Sequence, residues 1–194
     1  MSARLIQRVP GILLRPAAEW AVIETEEASL RSLFLGYACL LAGLGFAGGF
    51  VAGMMAGAFR GAALGSGLLM GVAVYALTLG VVAAIGAILE VLAPAYGSNL
   101  SRPQAMKLPV YAATPVWIAL VVVWIPWLGP LLLLAALAYS AFILRLGIMQ
   151  LVRPAPGGRI GFATAVLAAG VALSLIAIWI ASLFATIATM IAYR

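Results

Sequence analysis

Histidine and aspartate are absent from this 194-residue chain, which has one cysteine and five acidic residues, all of them glutamate. Without His or Asp there is no Ser-His-Asp triad and no imidazole base or metal ligand. Cys39 alone excludes an intrachain disulfide and a thiolate metal cluster, and it says nothing about redox compartment. Charge is the scarcest property of all. Only 8% of residues are charged, whereas a water-exposed surface needs roughly a quarter. With 66% hydrophobic residues and a mean hydropathy of +1.20, a soluble domain is excluded.

What fills the chain is a series of uncharged apolar runs. A helix rises about 1.5 Å per residue and the hydrocarbon core is about 30 Å thick, so runs of about 18 or more residues read as membrane spans. Five such runs are expected, at about residues 32–55, 67–92, 110–125, 131–151 and 160–193. They are continuously apolar rather than alternating, which selects helices over a barrel. The fold class is therefore an all-α polytopic membrane protein: a five-transmembrane-helix bundle (32–193) preceded by a short amphipathic N-terminal segment (1–31). The last run is longer than a perpendicular helix requires and must tilt or begin outside the core. Some thirty polar or amphipathic residues precede the first span, so no cleavable signal is expected and that span serves as an anchor.

The net charge of +6 would suggest nucleic acid in a soluble protein. Here the basic residues sit beside spans, as topology signals and contacts for anionic lipid headgroups, and no nucleic-acid partner is expected. With the N-terminus cytoplasmic, Arg4, Arg8, Arg15, Arg31, Arg102, Lys107, Arg145, Arg153 and Arg159 lie inside, and only Arg60 and Arg194 lie outside. This bias places the C-terminus on the opposite, periplasmic side.

In residues 1–31, apolar Leu5, Ile6, Val9, Ile12 and Leu13 recur at helical spacing, interrupted by Pro10 and Gly11. Pro16 suits the first turn of a second short helix. Arg4, Arg8, Arg15 and Trp20 are read as lipid-surface contacts of a segment lying among headgroups; a flexible cytoplasmic tail is the alternative. Thr25, followed by Glu26 and Glu27, resembles a helix cap, and with Glu19 and Glu24 this group reads as capping and solvated charge rather than a calcium site.

Within the spans, Gly45, Gly49 and Gly53 begin a four-residue ladder continuing through Gly57, Gly61 and Gly65. Small residues let helices approach closely, within one chain or between copies, and the first alternative is favoured. Glu90 and Arg145 stand at similar depth near the cytoplasmic ends of the second and fourth spans, and are read as an interhelical ion pair; a proton or ion site at Glu90 is the alternative. Pro115 is read as a kink in the third span. Trp117, Trp124, Trp127, Tyr96 and Tyr111 lie near span ends, where the interface is their expected place. Hydroxyls such as Ser140, Ser174, Thr78, Ser182, Thr186 and Thr189 read as helix-to-helix hydrogen bonds. No catalytic, metal or cofactor residues emerge, so a non-enzymatic protein without cofactor is expected.

Several stretches are similar to the Ypt-interacting protein (YIP) family. Residues Ile12–Ile23, with Pro16 and Trp20 among acids, resemble the segment before that family's first span. Tyr111-Ala112-Ala113-Thr114-Pro115 resembles the opening of its third span. The Ile125-Pro126-Trp127-Leu128-Gly129 turn and Ala138-Tyr139-Ser140 are similar too. The resemblance implies five spans with a cytoplasmic N-terminus, and its compact build implies a bacterial inner-membrane member. Eukaryotic members bind Rab-type GTPases through long N-terminal regions; the short segment here implies no such binding. The expected role is a scaffold, accessory subunit or membrane-organising factor, with a protein partner or self-association. The alternative is a small channel or transporter.

Overall fold

The computed structural model describes residues 2–55, 63–123, 125–155 and 157–192, and every regular element among them is helical. Helices α1 (Ser2–Leu14) and α2 (Pro16–Thr25) precede α3 (Leu30–Leu33), a π-helical turn (Phe34–Ala38) and α4 (Cys39–Met55). Then come α5 (Ala63–Leu92), α6 (Arg102–Ala112), α7 (Thr114–Val122), α8 (Leu128–Gly147), a second π-helical turn (Ile148–Val152) and α9 (Arg159–Ala192). Five stretches are long and apolar enough to cross a membrane: Leu30–Val51, Gly67–Tyr96, Arg102–Val122, Leu128–Val152 and Arg159–Phe184.

Several boundaries differ from the sequence expectation, each for a local reason. The Thr25 cap is replaced by Ser29, whose hydroxyl accepts from the Ser32 N–H while Ser32 Oγ accepts from the Ser29 N–H, each at 3.1 Å. Thr25 closes α2 instead, donating to Val22 O. Pro10 and Gly11 do not interrupt α1. The third span begins at Arg102 rather than near Val110, because Pro103 suits a first helical turn and Gln104 Oε1 accepts from the Ser101 N–H. That puts Lys107 inside a span, and the next subsection shows how its charge is held.

The third span, α6 followed by α7, is the central staff. In its 18-residue apolar stretch 67% of the residues are buried, against 6–28% in the corresponding stretches of the other four. The first span packs along α7, α8 packs on α6 and α7, and α5 lies against α6 and α4 with α9 on its far flank. The N-terminal helices share this core: Ile12, Trp20 and Ile23 are fully buried in one cluster with Leu108, Tyr111, Ile143 and Ile148. They are thus a docked cap and not a flexible tail. At the opposite end, the α7–α8 turn is tight enough to force Trp127 to φ 65, a rare conformation for a bulky residue, with its indole almost wholly exposed.

Candidate functional site

The densest polar chemistry lies where the N-terminal cap meets the ends of the third and fourth spans. Lys107, 3% exposed, donates from Nζ to Ile23 O at 2.7 Å and to Glu26 O at 2.5 Å. These are carbonyls at the C-terminal end of α2, where a helix presents unpaired acceptors and the negative end of its dipole. Lys107 therefore caps a helix more than eighty residues away in sequence, which is what allows an ammonium to lie within a span. Arg8 reaches both Glu19 and Glu26 through separate guanidinium nitrogens, each at 2.5 Å, and stacks over the Tyr111 ring with its carbon 5.5 Å from the centroid. Burial alone would lower its pKa, but the Glu26 hydrogen bond and the charges of Glu26, Tyr111 and Glu19 outweigh it and raise the value above the ordinary arginine range. As a cation with a raised pKa, Arg8 contributes stabilisation that is lost as pH rises through that raised value.

Glu24 supplies a second fastening, accepting from Gln150 Nε2 and Arg153 Nη2, both at 2.6 Å. Arg153 takes a left-handed φ of 48° to end the π-helical turn and also bonds Gln150 O. The acids of residues 19–26 are thus ion-pair and hydrogen-bond partners within the fold, rather than capping and solvated charge. Only Glu27 is exposed.

Of the predicted lipid-surface residues, two are not at the surface. Trp20 is fully buried, and its indole N–H donates to Ile143 O at 3.0 Å; Arg8 is 7% exposed. Both are drawn inward because the bundle end offers a carbonyl to one and two carboxylates to the other. Arg15 is exposed, and the side chain of Arg4 lies outside the described residues. The Glu90–Arg145 pair is not formed. Glu90 faces Arg102 at 3.8 Å, a loose and largely exposed pair, because α5 packs beside α6, α4 and α9 while α8 lies on α6 and α7. Arg145 is exposed.

The glycine ladder divides. A Cβ at Gly45 would lie 3.0 Å from Leu120 Cβ and 3.2 Å from Trp117 O, and one at Gly48 would lie 2.7 Å from Val121 Cα, so these two set the close crossing of α4 and α7. Nothing lies within 4 Å of a Cβ at Gly49. Gly57, Gly61, Arg60, Trp124 and Arg194 lie outside the described residues, as do the surroundings of Gly53 and Thr189. Pro115 stands in the first turn of α7, directly after the break at Ala113. It cannot donate to Tyr111 O, and the Thr114 hydroxyl takes its place at 2.7 Å. Thr114 Oγ1 also pairs with Tyr37 OH at 2.8 Å. Tyr111 and Trp117 are buried, Trp117 to 1% exposure, whereas the interface had been expected for both. Of the hydroxyls read as helix-to-helix bonds, Thr78, Ser174, Ser182 and Thr186 instead return to the carbonyl four residues back on their own helices.

Two of the clefts deeper in the bundle border the third span. One of about 300 Å³ lies between α4, α5 and α7, lined by Gly45, Phe46, Gly71, Tyr75 and Trp117. The other, about 330 Å³, separates α8 from α9 over a floor of α5, α6 and α7. Among the described residues, no charged one lines either.

The Yip1 domain family model matches residues 11–180. The chain belongs to the Yip1 domain family. No curated protein and no solved structure matches it. In this Yip1 domain the stretches that carried the resemblance turn out to be fastenings. Glu19 and Trp20 bind Arg8 and α8. Tyr111, Thr114 and Pro115 form the aromatic seat and the break of the third span. Tyr139 OH donates to Leu13 O at 2.6 Å, holding the end of α1. Gly129 passes against the Val123 backbone, where a Cβ could not fit.

Lys107, Glu26, Tyr37 and Gly147 were missed as site residues. A Cβ on Gly147 would come within 2.6 Å of Trp20 Cζ2 and 2.7 Å of Leu108 Cδ2, so this glycine is the seat of the indole. Only Lys107 left a trace in the sequence, as a lone charge before an apolar run; for Gly147 there was none.

Proposed function

We propose that this Yip1 domain is a non-enzymatic scaffold, accessory subunit or membrane-organising factor, with its N-terminus cytoplasmic, its C-terminus periplasmic and its place in a bacterial inner membrane. The observation that carries this reading is the use to which the polar groups are put. The buried charges fasten the N-terminal cap to the bundle end, and among the described residues no charged side chain lines the two clefts within the bundle. Around the cap, Arg15, Arg31, Arg102, Arg145, Arg153 and Arg159 are exposed at the end that the charge bias assigns to the cytoplasm. This girdle, rather than Arg8 and Trp20, suits anionic headgroups, and a rigid cap surrounded by it suits a protein partner or a second copy.

The test is the native mass of the complex extracted in mild detergent, with each co-purifying chain identified, followed by solute flux in proteoliposomes. Recovery with a defined partner and no flux is the expected result. A lone chain or homo-oligomer that conducts an ion or small solute would replace this reading with a channel or transporter.

A further inference from the structure

Helix α2 is built the wrong way round for a helix bathed by cytosol. Both its acids are spent within the fold, Glu19 on Arg8 and Glu24 on Gln150 and Arg153. Its exposed face consists of Ala17, Ala18, Ala21, Val22 and Thr25, continued by Leu14 at 79% exposure, and carries no charge. Four hydrogen bonds fix the depth of that face. Tyr139 OH donates to Leu13 O at 2.6 Å, Trp20 Nε1 donates to Ile143 O at 3.0 Å, and Glu24 accepts from Gln150 Nε2 and Arg153 Nη2, each at 2.6 Å. α2 therefore runs along α8 in the same direction, with its first turn farthest from Arg153. The fourth span, Leu128–Val152, has 25 residues and is about 37 Å long, some 7 Å more than a hydrocarbon core of about 30 Å. Were all of that excess to project beyond the core on the side of Arg153, Tyr139 would still stand about 12 Å below the edge of the hydrocarbon. α1 also touches α7, which begins about 18 Å along the third span from Arg102.

We propose that α1 and α2 form a re-entrant hairpin whose outer face, led by α2, lies against the acyl chains of one leaflet. That face is continuous with the lipid-facing side of α8, where Leu137 and Phe142 are exposed at the same depth. Backbone groups at this depth need partners within the protein, and the hairpin supplies them at both ends. At its tip Tyr139 serves Leu13 O, the Arg15 N–H donates to Gly11 O at 2.9 Å, and Pro16 has no N–H to satisfy. At the other end Lys107 serves Ile23 O and Glu26 O. Arg15 is the one exposed charge among the described side chains of the hairpin, and its long stem extends back toward the headgroups. The domain is thereby broader in this leaflet than in the other, which gives the membrane-organising reading a mechanism. The choice of the cytoplasmic leaflet rests on the orientation proposed above; the insertion itself does not.

The experiment places a nitroxide on the full-length chain in phosphatidylglycerol-containing vesicles, at Ala18→Cys or Ala21→Cys in a Cys39→Ser background. Leu175→Cys and Glu27→Cys serve as references for hydrocarbon and water. Oxygen, which concentrates in hydrocarbon, is expected to relax the labels at Ala18→Cys and Ala21→Cys as strongly as at Leu175→Cys. A water-soluble nickel chelate should relax them severalfold less than at Glu27→Cys. Relaxation by the chelate equal to that at Glu27→Cys would put the face in water and overturn the proposal. Weak relaxation by both reagents would mean that a protein partner or a second copy covers the face, and would overturn it too. Supplied on both sides of the vesicle, the reagents give the same answer in either orientation, so an inverted topology leaves the insertion standing. A label-free measurement guards against a variant that misfolds. Ala21→Asp, which sets a charge among acyl chains, is expected to speed amide exchange across α2 by about tenfold or more, and Ala21→Leu to leave it unchanged. Equal exchange in the two variants would overturn the insertion.

Discussion

The third and fifth spans are opposites. Arg102–Val122 is the least apolar of the five candidate spans and the most buried, at 67%; Arg159–Phe184 is among the two most apolar and the least buried, at 6%. In a soluble protein, hydrophobicity would point to the core. In lipid it points outward, since tails are as apolar as leucine and give helices no hydrophobic reason to associate. The third span instead earns its centre through Lys107, Tyr111 and Thr114, which find carbonyls, rings and a hydroxyl on other helices, with Trp117 buried beside them. The fifth presents Val171, Leu175, Ile178 and Trp179 outward, each more than half exposed.

Substitutions in the two regions should therefore separate widely. Trp20→Ala, at the seat of the third and fourth spans, removes a fully buried ring and leaves Ile143 O without its indole donor. It should cost about 3–5 kcal/mol, read as a lowered thermal midpoint in a fixed detergent; a change within error would mean the cap does not bear on the bundle. Lys107→Met leaves the α2 carbonyls unmet and should cost about 3 kcal/mol. Its sharper signature is release of the cap, seen as faster amide exchange across α1 and α2 with the remaining spans unchanged. Gly147→Ala drives a methyl into the Trp20 ring and should cost about 1–3 kcal/mol. Limited proteolysis within residues 15–30 would report it, and Trp20→Phe in the same chain should recover part of the loss. On the lipid-facing side, Leu175→Ala should shift the midpoint by less than about 1 kcal/mol. If it cost as much as Trp20→Ala, the fifth span would be packed against another molecule rather than lipid. Smallest of all, Glu90→Gln should change stability by no more than about 0.5 kcal/mol, since the Arg102 pair is long and solvated; a larger loss would restore Glu90 as a site.

Composition exposed the fold because the spans are constrained one residue at a time: each must be apolar over the thickness of a bilayer, and each break in that pattern is a loop. The candidate site had no such local rule. Arg8 and Trp20 carry the same sequence signature whether they lie among headgroups or are folded inward. Their destination depended on Glu26 and on Ile143, one of them more than a hundred residues away. Pro115 was legible as a break, because a missing N–H acts locally; that Thr114 would supply the replacement donor and bind Tyr37 was not.

The sequence by itself determined five helices in a membrane and membership of a family, because hydropathy and charge bias act along the chain. Which span stands at the centre, which charges are buried, and where a glycine makes room for an indole were decided by tertiary structure alone. Those outcomes depend on which carbonyl, ring or carboxylate another helix brings within about 3 Å, and no local pattern encodes that meeting.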